Sequence, residues 1–328
     1  MFNPRLPNLA RAVISMSGVS SGMIPGAASY FEPEWAKFVD AIPQCRGLSG
    51  NTMNCVREKA SATTIFQAMK QISSLGSPLL LGPTIDGPGG ILPDHPSRLL
   101  AAERFVHMPI ISGFNLDEGT MLTPTTVNST QDIYDYLKGW NSPSPSNMHA
   151  FNETVDGLLK LYPDDPSLGS PYNTGNDTFG FSRTFKRLAA ILGDLLFIGP
   201  QRHANQQYRK AGLNVYGYHF TDPQTTIDVP AYMGVAHSSA NNYVYGILNV
   251  TAAPSAKVLS SQMIDYWLSF ATSLTPNDGR GSARLKWPTY DEKKTILELN
   301  GGGIKNTTDN FRAKQIDFIN SHAEVLRM

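Results

Sequence analysis

The stretch Pro109-Ile110-Ile111-Ser112-Gly113-Phe114-Asn115-Leu116-Asp117-Glu118-Gly119-Thr120 decides how the rest of the chain is read. Its opening residues are a short apolar run, the mark of a buried strand. Where the run ends come two carboxylates and a glycine. Further along, Gly234-Val235-Ala236-His237-Ser238 sits in the loop after a second such run, Val215-Tyr216-Gly217-Tyr218-His219-Phe220. An acid after one strand and an imidazole after another suit nucleophilic catalysis. There a neutral imidazole takes the proton of a hydroxyl, and an anion fixes its other nitrogen. Taken singly, Glu118 reads as a loop carboxylate capping the next helix and His237 as an ordinary loop histidine. Neither residue is marked as catalytic by its own surroundings.

The order acid then histidine, each beyond a strand, is that of the last two members of an α/β-hydrolase triad, whose chain order is Ser, Asp/Glu, His. Further blocks accompany them: Arg11-Ala12-Val13-Ile14-Ser15-Met16-Ser17-Gly18, Asp86-Gly87, Leu192-Gly193-Asp194-Leu195-Leu196-Phe197 with Pro200 and Arg202, and Trp287-Pro288-Thr289-Tyr290. In this order they resemble the C-terminal portion of a type-B carboxylesterase, the cholinesterase-like family that includes fungal secreted lipases. The resemblance runs from Leu9 to the last helix and implies that Glu118 is the triad acid and His237 the base. It also implies an acidic residue three positions after the histidine, where this sequence has Ala240. The family's Gly-Glu-Ser-Ala-Gly elbow and oxyanion glycines precede the block resembled by residues 9 to 18. The expectation is therefore a chain without nucleophile elbow or oxyanion loop, inactive by itself.

One Gly-x-Ser-x-Gly does occur, Gly18-Val19-Ser20-Ser21-Gly22, after an apolar strand and upstream of Glu118 and His237. Small residues flank an elbow serine because backbone closes in on both sides. Pro25 and Gly26, however, stand where the following helix should run. A Ser/Gly-rich loop is the favoured reading, and Ser20 the lesser candidate nucleophile.

With 328 residues and 41% hydrophobic content the chain can bury a substantial core. Lys plus Arg and Asp plus Glu both number 27, and no basic stripe carries interleaved aromatics, so nucleic acid is not an expected partner. No run approaches ~18 apolar residues, the length of a membrane span. The opening Met1-Phe2-Asn3-Pro4-Arg5-Leu6-Pro7 lacks the apolar segment of a signal peptide. There is no His-Glu-x-x-His and no Cys/His cluster, so neither metal nor cofactor is expected. Gly301-Gly302-Gly303 follows a strand without a helix-opening Lys-Ser/Thr and reads as a turn.

Cys45 and Cys55 are the only cysteines. The resemblance implies a small disulfide here; from the residues alone, two buried thiols remain the alternative. Asn-x-Ser/Thr sequons at Asn128, Asn152, Asn176, Asn249 and Asn306 are candidate glycosylation sites. With the family, they point to a secreted protein.

Strands are expected near 11–17, 109–113, 215–220 and 295–299, and helices over 33–41, 53–72, 131–138 and 255–274. The helical pattern at 185–210 should bend or split at Gly199-Pro200. The expected architecture is one partial α/β-hydrolase domain over 1–328: the later strands of a mostly parallel sheet with flanking helices, its N-terminal strands missing. The expected function is Ser-Glu-His hydrolysis of a carboxylic ester or lipid. A non-catalytic cholinesterase-like binding protein is the alternative.

Overall fold

The computed structural model describes residues 1–19, 21–22, 25–73, 82–141, 143–223 and 229–328. They form two compact units, one of residues 1–22, 96–326 and 328, the other of 23–95 with Arg327. Among the described residues no helix is long and apolar enough to cross a membrane.

The larger unit opens with strand β1 (Val13–Met16). The chain then passes through the smaller unit: β2 (Gly26–Ala27), α1 (Ala28–Asp40), α2 (Thr52–Lys59), α3 (Ala62–Ser73) and β3 (Thr84–Ile85). The single helix expected over 53–72 is two, divided at Ala60-Ser61, and α1 starts before the expected boundary with Pro33 inside it. Phe38, Val39, Ile42, Val56, Ala68 and Ile72 form the core of this unit. Cys45 and Cys55 are joined by a disulfide, with Cα atoms 5.8 Å apart. Closing this loop, whose ends are 10 positions apart, stabilises by about 3 kcal/mol, mainly by restricting the unfolded chain.

The chain re-enters the larger unit with α4 (Pro96–Ala101) and β4 (Ile110–Asn115). Next come α5 (Thr130–Asn141), α6 (Met148–Leu161), α7 (Arg183–Gly193) and α8 (Gly199–Lys210). Then follow β5 (Val215–Phe220), α9 (Ser239–Val244), α10 (Pro254–Ser273), β6 (Thr295–Leu299), β7 (Lys305–Thr308) and α11 (Ala313–Ser321). The sheet runs β1-β4-β5-β6-β7, all neighbours parallel except the β6–β7 hairpin.

Side chains alternate across each strand, and β4 and β5 in the middle of the sheet are buried on both faces because helices cover both. Ile111, Tyr216, Tyr218, Phe220 and Leu297 pack with α10 residues Leu259, Met263, Tyr266 and Phe270 on one face. Ile110, Val215 and Ile296 pack with Ala204 and Tyr208 of α8 on the other. Burying one such large apolar side chain stabilises by about 1.5–3 kcal/mol. Trp287, fully buried, donates its indole N–H to the Gly217 carbonyl at 2.9 Å and pins the 277–290 segment to β5. His219, on β5, stacks on Phe311, and burial with the nearby Arg312 and Arg202 charges lowers its pKa to about 3.

Candidate active site

Glu118 and His237 meet because two parallel strands end side by side. Beyond β4 and β5, Leu116 N–H donates to the Phe220 carbonyl, and a further bridge pairs Asp117 with Ala236. This carries Glu118 and His237, each one residue farther on, into contact. Gly119 lets the acid loop press against α7, since a Cβ there would lie 2.0 Å from the Ala189 carbonyl oxygen.

Glu118 Oε2 lies 2.7 Å from His237 Nδ1. The carboxylate is 1% exposed, whereas the imidazole is about a third exposed, at 31%. The hydrogen bond to Glu118 raises the His237 pKa above its ordinary 6.5; burial opposes this, and the carboxylate charge reinforces it. With Nδ1 bonded to the Glu118 carboxylate, Nε2 is the ring nitrogen outside this contact. The Phe197 ring, 4.9 Å from the imidazole, flanks it.

Two residues not singled out by sequence complete the acid's surroundings. Ser17 Oγ donates to Glu118 Oε1 at 2.6 Å, as does the Asn115 backbone N–H, also at 2.6 Å. The Asn115 side chain links them to the base loop: Nδ2 donates to Ser17 Oγ at 3.1 Å, and Oδ1 accepts from Ala240 N–H at 3.3 Å. Position 240, where the resemblance implied a carboxylate, thus takes part through its backbone. Ser17 has φ 56°, a conformation costing of order 1–3 kcal/mol outside glycine. Ser-Gly after an apolar run was its only sequence signal, and nothing local marked Asn115.

Among the described residues, the one hydroxyl bonded to this pair is that of Ser17, and it donates to the carboxylate rather than facing the imidazole. Ser20 lies outside the described residues. No group of three or more His, Cys, Asp or Glu among the described residues is placed to hold a metal ion.

A family model described as "Carboxylesterase family" matches residues 1–319. The chain belongs to the carboxylesterase family. Among relatives of this family, Lipase 2 of Geotrichum candidum is 30% identical over 82% of this chain and 45% of its own length. Secreted lipase 1 of Botryotinia fuckeliana is 29% identical over 92% of this chain and 51% of its own. The crystal structure of Aspergillus niger EstA superposes with a TM-score of 0.77 over all of this chain and 61% of that one, at 18% identity. The fold is thus that of an α/β-hydrolase, and the chain spans about half the length of the curated relatives it matches.

Proposed function

We propose that Glu118 and His237 are the acid and base of a serine carboxylic-ester hydrolase. The observation that carries this reading is the 2.7 Å contact between a buried carboxylate and the Nδ1 of a half-buried imidazole. His237 Nε2 takes the serine proton as the serine oxygen attacks the ester carbonyl, then returns it to the departing alkoxide. Water attacks the resulting acyl ester by the same route. Glu118 holds the Nδ1–H tautomer and stabilises the imidazolium. The serine is one outside the described residues: Ser20, or one in the part of the relatives' length that this chain does not span. Retention of both Glu118 and His237 counts against a purely binding role, which needs neither.

The whole protein is expected to react at one serine with a fluorophosphonate, to hydrolyse short- and medium-chain aryl esters, and to lose both properties on His237→Gln. Undiminished labelling of that variant would remove His237 from the reaction. Loss of labelling on Ser20→Ala would identify Ser20 as the nucleophile. Because only neutral imidazole accepts the proton, and the His237 pKa is raised, kcat/KM should fall as pH drops through a value above 6.5.

The matched relatives that are secreted lipases support an extracellular ester or lipid hydrolase, as does the Cys45–Cys55 disulfide. All five sequon asparagines, Asn128, Asn152, Asn176, Asn249 and Asn306, are exposed. Protein secreted by a eukaryotic host should lose mass on peptide-N-glycosidase treatment; an unchanged mass would remove the glycosylation proposal.

A further inference from the structure

Asp117, immediately before the acid, is 2% exposed, and its carboxylate is hydrogen-bonded on both oxygens. Oδ1 accepts from Ser170 Oγ and from Tyr172 N–H, both at 2.8 Å. Oδ2 accepts from Val235 N–H at 2.9 Å, and Asp117's own N–H donates to the Val235 carbonyl at 3.0 Å. Asp117 therefore grips the base loop two residues before His237 from backbone and side chain together. Beside it, Thr120 Oγ1 donates to the Met233 carbonyl at 2.7 Å.

The loop is shaped to receive this grip. Gly234 has φ 58°, and a Cβ there would lie 2.4 Å from Asp117 Oδ2 and 2.6 Å from the Pro171 Cβ. Any side chain at 234 would hold the two loops apart. A carboxylate bound by several donors is a fixed strut, and removing its acceptor capacity leaves buried N–H groups unpaired. Burial raises the Asp117 pKa, while its bonds to Tyr172, Val235 and Ser170 and the charge of Arg312 oppose that rise.

We propose that Asp117 is a positioning residue for catalysis: its carboxylate clamps the base loop through Val235 and so sets the separation of Glu118 and His237. It acts through the pair and touches no reacting atom. The inference rests on the acid–base reading of that pair, but its test needs no turnover.

Asp117→Asn keeps the volume and one acceptor oxygen. With that oxygen facing Ser170 and Tyr172, the amide NH2 opposes Val235 N–H, donor against donor. NMR of the His237 ring reads the result. The parent chain should show a strongly hydrogen-bonded, far-downfield Nδ1 proton and a titration above 6.5. The variant should unfold cooperatively, lose that signal and titrate at lower pH. Ser170→Ala, which leaves the Val235 bond intact, should keep the signal. If Asp117→Asn does not fold, Gly234→Ala breaks the same contact from the loop side and should lose the signal. A folded Asp117→Asn or Gly234→Ala chain with the parent's signal and titration would overturn the proposal. Should the ester-hydrolase reading fail instead, the parent's His237 signal would still be present without any His237-dependent labelling of a serine.

Discussion

Glu118→Gln should slow ester hydrolysis by the whole protein by about 10⁴-fold in kcat, the scale set when a triad acid is made neutral and its histidine takes the wrong tautomer. Here the direction of the amide is dictated by its neighbours. Oε1 of Glu118 receives two donors, Ser17 O–H and Asn115 N–H, each at 2.6 Å. Only the oxygen of a glutamine satisfies both, so its NH2 must face His237 Nδ1. Nδ1 then becomes an acceptor, the ring proton moves to Nε2, and the nitrogen that should take the serine proton already carries one. Ring ¹⁵N shifts of the chain alone check this step: Nδ1–H in the parent, Nε2–H in the variant. The His237 titration should move down as well, because the hydrogen bond and charge of Glu118 are what raise it. A variant that keeps the Nδ1–H tautomer would sink the explanation.

Much of this arrangement is legible in the sequence, and the parts that are not have a common cause. Glu118 and His237 are legible as a candidate pair because both stand inside the blocks that resemble the carboxylesterase family, each after an apolar strand, and the parallel neighbours bring the two side chains into contact. β5 and β6 appear at the expected residues, and α10 closely matches the expected helix. Ser17 is different. It reaches Glu118 across 101 residues and depends on a left-handed backbone that no local pattern announces. Helix α6 is likewise not among the expected elements, although Val155 and Leu158 lie on its buried face. Its Gly157 looks like a helix breaker, yet a Cβ there would lie 2.2 Å from the Phe318 ring, so the glycine makes room for α11. A bend or split is expected at Gly199-Pro200, and the pattern is indeed divided there: α7 ends at Gly193, one π-helical turn, Asp194–Ile198, follows, and α8 starts at Gly199. Gly199 N–H reaches back to the Asp194 carbonyl, and Pro200 falls in the first turn of α8, where a missing N–H costs least.

That π turn links stability to the site, and Asp194→Ala should show it. Asp194 is fully buried and accepts from Arg312 Nε and Nη2, both at 2.7 Å, and from Tyr162 O–H at 2.8 Å. Arg312 in turn lies over the Tyr172 ring, 4.3 Å from its centroid. Deleting the carboxylate leaves a guanidinium and a phenol without their acceptor in a low-dielectric setting. The expected loss is about 3–5 kcal/mol, or roughly 10 °C in Tm for a unit of this size. The double variant Asp194→Leu/Arg312→Met removes both charges and should recover most of that loss, since the penalty lies in the unpaired ion rather than in the absent bridge. Denaturant unfolding of the two variants decides between the possibilities: a double variant no better than the single one would mean that shape, not charge, is what Asp194 supplies. Phe197 belongs to the same turn and flanks the His237 ring. The single variant should therefore also shift the His237 ring resonances, even where the chain remains folded. An unperturbed imidazole beside a destabilised turn would separate the ion pair's role in stability from any part in holding the base.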